Sequence, residues 1–344
     1  MASPLASALG LSLPVLAAPM AGGPGTPALV AAAARAGGLG FLAAGYKSPQ
    51  ALAGEIAAVA GTDLPFGVNL FAPNPVPVDP AAFRRYADLI AADAERLGIP
   101  LDASAPREDD DGWQDKIDIL RAHPVPVISF TFGIPAAKDL AALRATGALL
   151  IQTVTSPGEA AAAAGAGIDA VAVQASAAGA HSATFTPRHP VPDVPLAQLL
   201  AAVRRSVDLP LIALGGLATP ADVAAAIHAG ADAVAVGTVL LRSDEAGTTA
   251  AHKAALADPA RTTTVLTRAF TGRPARALRN AFIDRYDQLA PCGYPAVHHL
   301  TSPLRKAAAA AGDPERLHLW AGTGFRSATA EPAADILTHL ARQL

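Results

Sequence analysis

The stretch LIALGGLATPADVAAAIHAGADAVAVGT, residues 211–238, carries the fold in miniature. Leu211–Leu214 is an apolar run of strand length, and Gly215-Gly216 breaks it. Thr219-Pro220 then opens an alanine-rich segment of helical length, which ends before a second apolar run, Ala233–Val236. Threonine followed by proline is a helix start, because the hydroxyl caps unpaired N–H groups and proline needs no N–H in the first turn. The unit reads strand, helix, parallel strand, so the residues that follow each strand gather at one end.

Read outward, the same rhythm recurs. Further candidate strands are Val15–Ala18, Leu39–Ala43, Phe66–Leu70, Val127–Phe130, Leu149–Thr153 and Ala170–Gln174, and capped starts stand at Thr26-Pro27, Ser48-Pro49 and Ser156-Pro157. The total of eight strands alternating with helices predicts an α/β fold, a (β/α)8 TIM barrel. Two segments break the pattern. Pro73–Pro126 is too long for one crossover and holds a helix expected over Ala81–Leu97 and an acidic turn, Arg107–Gly112. That turn lacks the spacing of a calcium loop and reads as a solvated loop. After residue 245 helices and loops are expected without strands. The predicted organisation is a barrel from residues 1–72 and 127–245, an insertion after strand three at 73–126, and a helical cap or substrate domain at 246–344.

With 51% hydrophobic and 16% charged residues over 344 positions, the chain can bury a large core. A formal charge of −3 offers no basic field for a polyanion, so nucleic acid is not expected as a partner and the ligand should be a small molecule. Cys292 is the single cysteine, which rules out an intrachain disulfide, and no Cys/His cluster predicts a metal. Leu5–Met20 is apolar, yet no Lys or Arg precedes Arg35, and Pro14 and Pro19 interrupt it, so it reads as mature sequence. No uninterrupted, strongly apolar run reaches membrane-spanning length. A cytoplasmic monomer or homodimer is the expectation.

Residues just after the strands are the first candidates for chemistry. Gly215, Gly216, Gly237 and Thr238 occupy adjacent strand ends, where backbone N–H groups either cradle a phosphate or simply shape tight turns. Met20 and Gly22 follow Val15–Ala18, Asn69 lies at the end of Phe66–Leu70, and Gln174 ends Ala170–Gln174. Neutral amides beside backbone suit a flat heterocycle such as a flavin, although either amide can instead satisfy barrel backbone. His181, in the loop Ala177–His181 after a strand, is the histidine placed to act as a base, since imidazole titrates near neutrality. His228 lies in a helix and reads as structural or exposed. His298 and His299 suit a cap lining, while His123, His189, His252, His318 and His339 have no supporting context.

Several stretches together resemble the FMN-dependent nitronate monooxygenases over nearly the whole chain. They include Ala18–Gly23, Ala36–Gly40, Phe66–Phe71, Ser129–Gly133 and the loop ending in His181, with Gly272–Arg276, Tyr294-Pro295, Leu300–Leu304 and Trp320–Gly322 beyond. The first group is shared with flavin enoyl reductases and quinone reductases, and the C-terminal stretches favour nitronate oxidation. The resemblance implies FMN contacts at Met20, Asn69, Gln174, Gly179, Gly216, Gly237 and Thr238, with His181 as the catalytic base. Thr131 is a candidate substrate contact, and Tyr294, His298, His299 and Trp320 would either line the substrate side of the flavin or pack the cap on the barrel. The implied reaction oxidises an alkyl nitronate with dioxygen to a carbonyl compound and nitrite or nitrate. The alternative is an FMN enzyme that takes hydride from NAD(P)H to reduce an enoyl thioester or quinone. Where the family commonly has Glu-Ala-Gly-Gly-His-Arg-Gly, this chain has Ala177–Ala183, without the acidic and basic residues, and Thr131 stands where histidine is frequent. The departures predict a less charged pocket.

Overall fold

In the computed structural model, residues 4–344 are described. The strands are β1 Val15–Ala17, β2 Leu39–Ala43, β3 Phe66–Phe71, β4 Val127–Thr131, β5 Leu149–Val154, β6 Ala170–Gln174, β7 Ala180–His181, β8 Leu211–Leu214, β9 Ala233–Val236, β10 Thr264–Thr267 and β11 Ala275–Leu278. The α-helices are α1 Pro4–Ala8, α2 Pro27–Arg35, α3 Pro49–Ala60, α4 Pro80–Arg96, α5 Trp113–Ala122, α6 Ala137–Arg144, α7 Pro157–Gly165, α8 Leu196–Arg204, α9 Pro220–His228, α10 Ala250–Ala257, α11 Ala281–Tyr286, α12 Ala296–Ala310 and α13 Ala333–Leu340.

The eight expected strands, β1–β6, β8 and β9, form a closed parallel barrel in sequence order, with β1 pairing β9 to shut it. The expected caps are made: Thr26, Ser48, Ser156 and Thr219 each accept a backbone N–H from the first turn of the helix that follows. Leu16, Leu39, Phe41, Ile151 and Ile212 fill the barrel interior, and Leu5 and Leu11 from the N-terminal segment join that layer. A second layer joins the outer strand faces to the helices, with Val15, Val68, Ile128, Val171 and Val234 among its buried members. Glycine lets that layer close: a Cβ on Gly40 would lie 2.6 Å from the Val30 Cα of α2.

The expected insertion holds two elements with different attachments. Helix α5 packs against α3 and α6 and so serves the barrel's helical ring. Helix α4 instead joins α11 and α12 in a separate core built on Phe83, Tyr86, Ile90, Phe282, Val297 and Leu304. Buried Asp93 of α4 ties that core together, accepting from Tyr286 Oη at 2.6 Å and from Arg316 Nε at 2.6 Å. Burial works to raise its pKa, but these bonds win and the carboxyl is held below its usual range.

The C-terminal part also differs from the expectation of helices alone. Strands β10 and β11 form an antiparallel pair, and β11 pairs in turn with the two-residue β7 from the barrel loop. Such short segments reach strand conformation through pairing rather than through a visible alternating pattern. Helix α13 leaves the cap and packs on α2, α9 and β1. Among the described residues no helix is long and apolar enough to cross a membrane.

Substituting Gly40→Ala should force β2 and α2 apart and destabilise the protein by about 1–3 kcal/mol. Thermal unfolding should show a midpoint several degrees lower; an unchanged midpoint would mean that the close approach is not a constraint.

Candidate active site

The C-terminal strand ends open into one cavity lined by Met20, Gly22, Asn69, Thr131, Gln174, Gly179, His181, the glycines after β8 and β9, Thr238 and Trp320. Gly215 and Gly216 both have positive φ, 107° and 81°, a backbone that glycine adopts without strain. A Cβ on Gly215 would sit 2.9 Å from the Ala175 carbonyl, and one on Gly216 would sit 3.1 Å from the Ala177 Cβ. Thr238 turns inward to the cap, its hydroxyl accepting the Gly322 N–H at 2.9 Å. Gly179 is pressed against the same segment: a Cβ there would meet Gly322 N at 2.6 Å.

The two amides have partly structural duties. Asn69 spends its NH₂ on Ser129 Oγ at 2.9 Å and Thr131 Oγ1 at 3.1 Å, which aims its carbonyl oxygen elsewhere. Gln174 is bonded at both ends: Nε2 donates to the His181 carbonyl at 3.1 Å and Oε1 accepts from Ala183 N at 2.7 Å. It therefore staples the histidine loop to the end of β6. Glu159 staples the continuation, accepting from Phe185 N at 2.6 Å and Thr184 Oγ1 at 3.1 Å.

His181 is fixed from several sides. Ala180 before it has φ +63°, which for a non-glycine residue is strained. The pairing of β7 with β11 puts His181 opposite Ala275, and Ser182 N donates to Pro274 O at 2.8 Å. Its Nε2 is 2.9 Å from Thr271 Oγ1, and Phe132, Tyr294 and Trp320 surround the ring at centroid distances of 5.4 to 5.6 Å from one another or from it. Burial, then the charges of Arg273 and Arg305, bring its pKa down to about 3, so the imidazole is neutral at pH 7.

Two cations stand behind this wall. Arg273 is fully buried, with its guanidinium carbon 3.8 Å from the Phe132 ring centroid. Its nitrogens donate to the carbonyls of Ser182 and Thr184, and Nη1 has no partner among the described residues. Arg305 bonds to Thr301 Oγ1 and His298 only. Among the described residues neither makes an ion pair with a carboxylate, and burial lowers both to about 10, so each remains charged at pH 7. Phe132 itself has φ +85°, a left-handed backbone unusual for a bulky residue.

The acidic turn is exposed over residues 107–110, as expected of a solvated loop, but it also makes specific contacts. Asp111 accepts the Tyr46 backbone N–H at 3.0 Å and pairs with buried Lys116 at 2.6 Å, while Asp109 lies 3.1 Å from His299. Its charges are consumed by contacts that hold Tyr46 and His299 in place, which local composition does not reveal. Tyr46 in turn stacks on His298 and accepts a hydrogen bond from the Tyr294 hydroxyl at 3.3 Å. Thus Tyr294, His298 and His299 line an outer cleft that shares His181 and Trp320 with the inner cavity.

Several participants escaped the sequence reading. Tyr46, three residues past β2, satisfied the strand-end rule applied elsewhere. His252 and His318 lack local context, yet both line the inner cavity, and His252 Nε2 donates to the Trp320 carbonyl at 3.1 Å. Arg305 and Thr271 lie far along the chain and gave no signal. His228 is on the exterior, bonded to the Ala224 carbonyl of its own helix.

The profile described as "Nitronate monooxygenase" matches residues 3–343. A probable nitronate monooxygenase of Staphylococcus aureus strain Newman is 35% identical over 311 residues, 89% of this chain and 87% of that protein. The solved nitroalkane oxidase of Streptomyces ansochromogenes superposes with a TM-score of 0.93 at 45% identity, over 99% of this chain and 97% of that one. FabK from Thermotoga maritima superposes with a TM-score of 0.78 at 27% identity, over 100% of this chain and 96% of that one.

His181, His252, His298 and His318 all have pKa values lowered chiefly by burial, His252 to about 4. Unfolded, each binds a proton near pH 6.5, so the unfolded chain holds more protons than the native one below that value. Stability should therefore fall as pH drops from 7.5 to 5.5, by up to about 1.4 kcal/mol per histidine for each pH unit below 6.5. Unfolding midpoints at those two pH values check the sign; a higher midpoint at 5.5 contradicts neutral burial.

Proposed function

Because the chain belongs to the nitronate monooxygenase family, we propose that it oxidises alkyl nitronates, or the nitroalkanes that yield them, with FMN as cofactor and dioxygen as oxidant. The products are a carbonyl compound and nitrite or nitrate. The observation that carries this reading is a neutral imidazole at the cavity, flanked by two buried arginines without carboxylate partners. A neutral base can take a proton, and an uncompensated positive field favours the anion that results.

The strand ends fit FMN. Gly215 and Gly216 form a turn of positive φ packed against the 175–178 loop, where a Cβ would clash, and their backbone, with Gly237 and Thr238, would hold the phosphate at the cavity they line. Met20, Gly22 and the free carbonyl oxygen of Asn69 would face the ring, whereas Gln174 would act by holding the histidine loop. When bound, FMN supplies an electron acceptor and reactivity towards dioxygen.

The chain's own residues set the rest. His181 takes the α-proton of a neutral nitroalkane on its free ring nitrogen. The electrostatic field of Arg273 and Arg305 then stabilises the nitronate charge in a site whose walls, Phe132, Tyr294 and Trp320, exclude water and strengthen that field. A substrate added as preformed nitronate needs the field but not the base.

Three outcomes test this reading. Under anaerobic conditions a nitronate should bleach the bound flavin while NADH does not; the reverse would make the protein a reductase, as the FabK likeness allows. His181→Ala should lose about 10²–10⁴ in turnover of neutral nitroalkane while retaining flavin. Since the base form of His181 is present well below pH 6.5, kcat/KM for the nitroalkane should show no acid limb near that pH. A limb centred there would show that the imidazole is solvated.

A further inference from the structure

His298 stacks face to face on Tyr46, with ring centroids 4.1 Å apart and planes 7° from parallel. Arg305, two turns along the same helix, reaches back to it. One guanidinium nitrogen lies 3.1 Å from His298 Nδ1 and 3.0 Å from its carbonyl oxygen, and Nε lies 3.1 Å from Thr301 Oγ1. A guanidinium has donors and no acceptor, so in this contact Nδ1 must accept. An accepting ring nitrogen carries no hydrogen, and the proton of the neutral ring therefore sits on Nε2.

Protonating Nδ1 would set one N–H against another and place two cations in contact. Burial and the charge of Arg305 both oppose that charge. The carboxylates of the neighbouring acidic turn, Asp109 and Asp111, are engaged by His299 and Lys116. Nε2 has no acceptor among the described residues, although His298 lines the cleft shared with His181. An N–H that faces a cleft and spends no bond on the protein is available to an oxygen of a ligand bound there.

We propose that His298 is a hydrogen-bond donor to substrate: Arg305 fixes its proton on Nε2, and that N–H binds an oxygen of the nitro or nitronate group. This assignment rests on the proposed function. The two histidines have opposite duties, His181 receiving a proton and His298 retaining one. Arg305 is a positioning residue, acting through the imidazole.

The first test needs no variant. In the flavin-loaded protein with ¹⁵N-labelled histidine, His298 should show an unprotonated Nδ1 and a protonated Nε2, unchanged between about pH 5.5 and 8.5. A proton on Nδ1, or titration in that interval, overturns the proposal. The second test uses nitrate, a planar and unreactive oxyanion, titrated against the flavin spectrum. His298→Phe preserves an aromatic ring on Tyr46 but removes the donor, and should weaken nitrate binding by about 10-fold or more. His298→Gln, which restores an N–H near Nε2, should return to within about threefold of the parent. A Phe variant that binds nitrate as the parent does overturns the assignment while leaving nitronate oxidation standing. A parent that turns over no nitronate, yet loses nitrate affinity in the Phe variant, removes the oxidase reading and leaves His298 as an oxyanion donor.

Discussion

Everything at the open end of the barrel depends on one short antiparallel contact, Ala180–His181 against Ala275-Arg276. Two residues of pairing would not persist alone. Here the contact is reinforced by the Gln174 staple on one side and by Arg276 on the other, whose Nε donates to the Ser176 carbonyl at 2.7 Å. The base is thereby placed by two distant parts of the chain: the barrel positions its backbone, and the segment 271–276 orients its ring. The strained φ of Ala180 is tolerated because these bonds over-determine it.

The same segment explains why the site is charged despite its apolar walls. Burying a guanidinium without a counter-ion is expensive, and a fold optimised for stability alone would replace it with packed hydrocarbon. Arg273 is retained in full burial, anchored by two carbonyls and the face of Phe132. Its cost makes sense when the missing counter-charge arrives with the ligand. Neutral His181 completes the arrangement, since a protonated imidazole beside two arginines would add a third uncompensated cation.

The barrel was legible because its signals are local. The barrel strands are mostly apolar, with Asn69, Ser129 and Gln152 among the exceptions, and a Ser-Pro or Thr-Pro start marks four of the helices. The rim glycines and His181 follow from the same logic, each lying a few residues past a strand. What escaped was non-local. Strand β7 is made by its partner, not by its own two residues, and α5 reveals its place in the ring only through the faces of α3 and α6. The acidic turn is solvated as its composition suggests, but composition cannot show that Asp111 is spent on Tyr46 N–H and Lys116.

The charge of the pocket is the clearest instance of that distinction. The histidine loop lacks the acidic and basic residues common in the family, and read alone it describes a nearly neutral site. The fold supplies cations from elsewhere: Arg273 enters beneath the loop from the segment before β11, and Arg305 approaches from α12 through His298. Both charges act on His181 from sequence distances of roughly a hundred residues, where Coulomb's law in a desolvated interior still carries weight. A loop motif reports which groups touch the ligand, whereas the field in which they work belongs to the whole domain. Losing a charge from the motif therefore need not alter the preference for an anion. It moves the source of that preference from the loop to the cap.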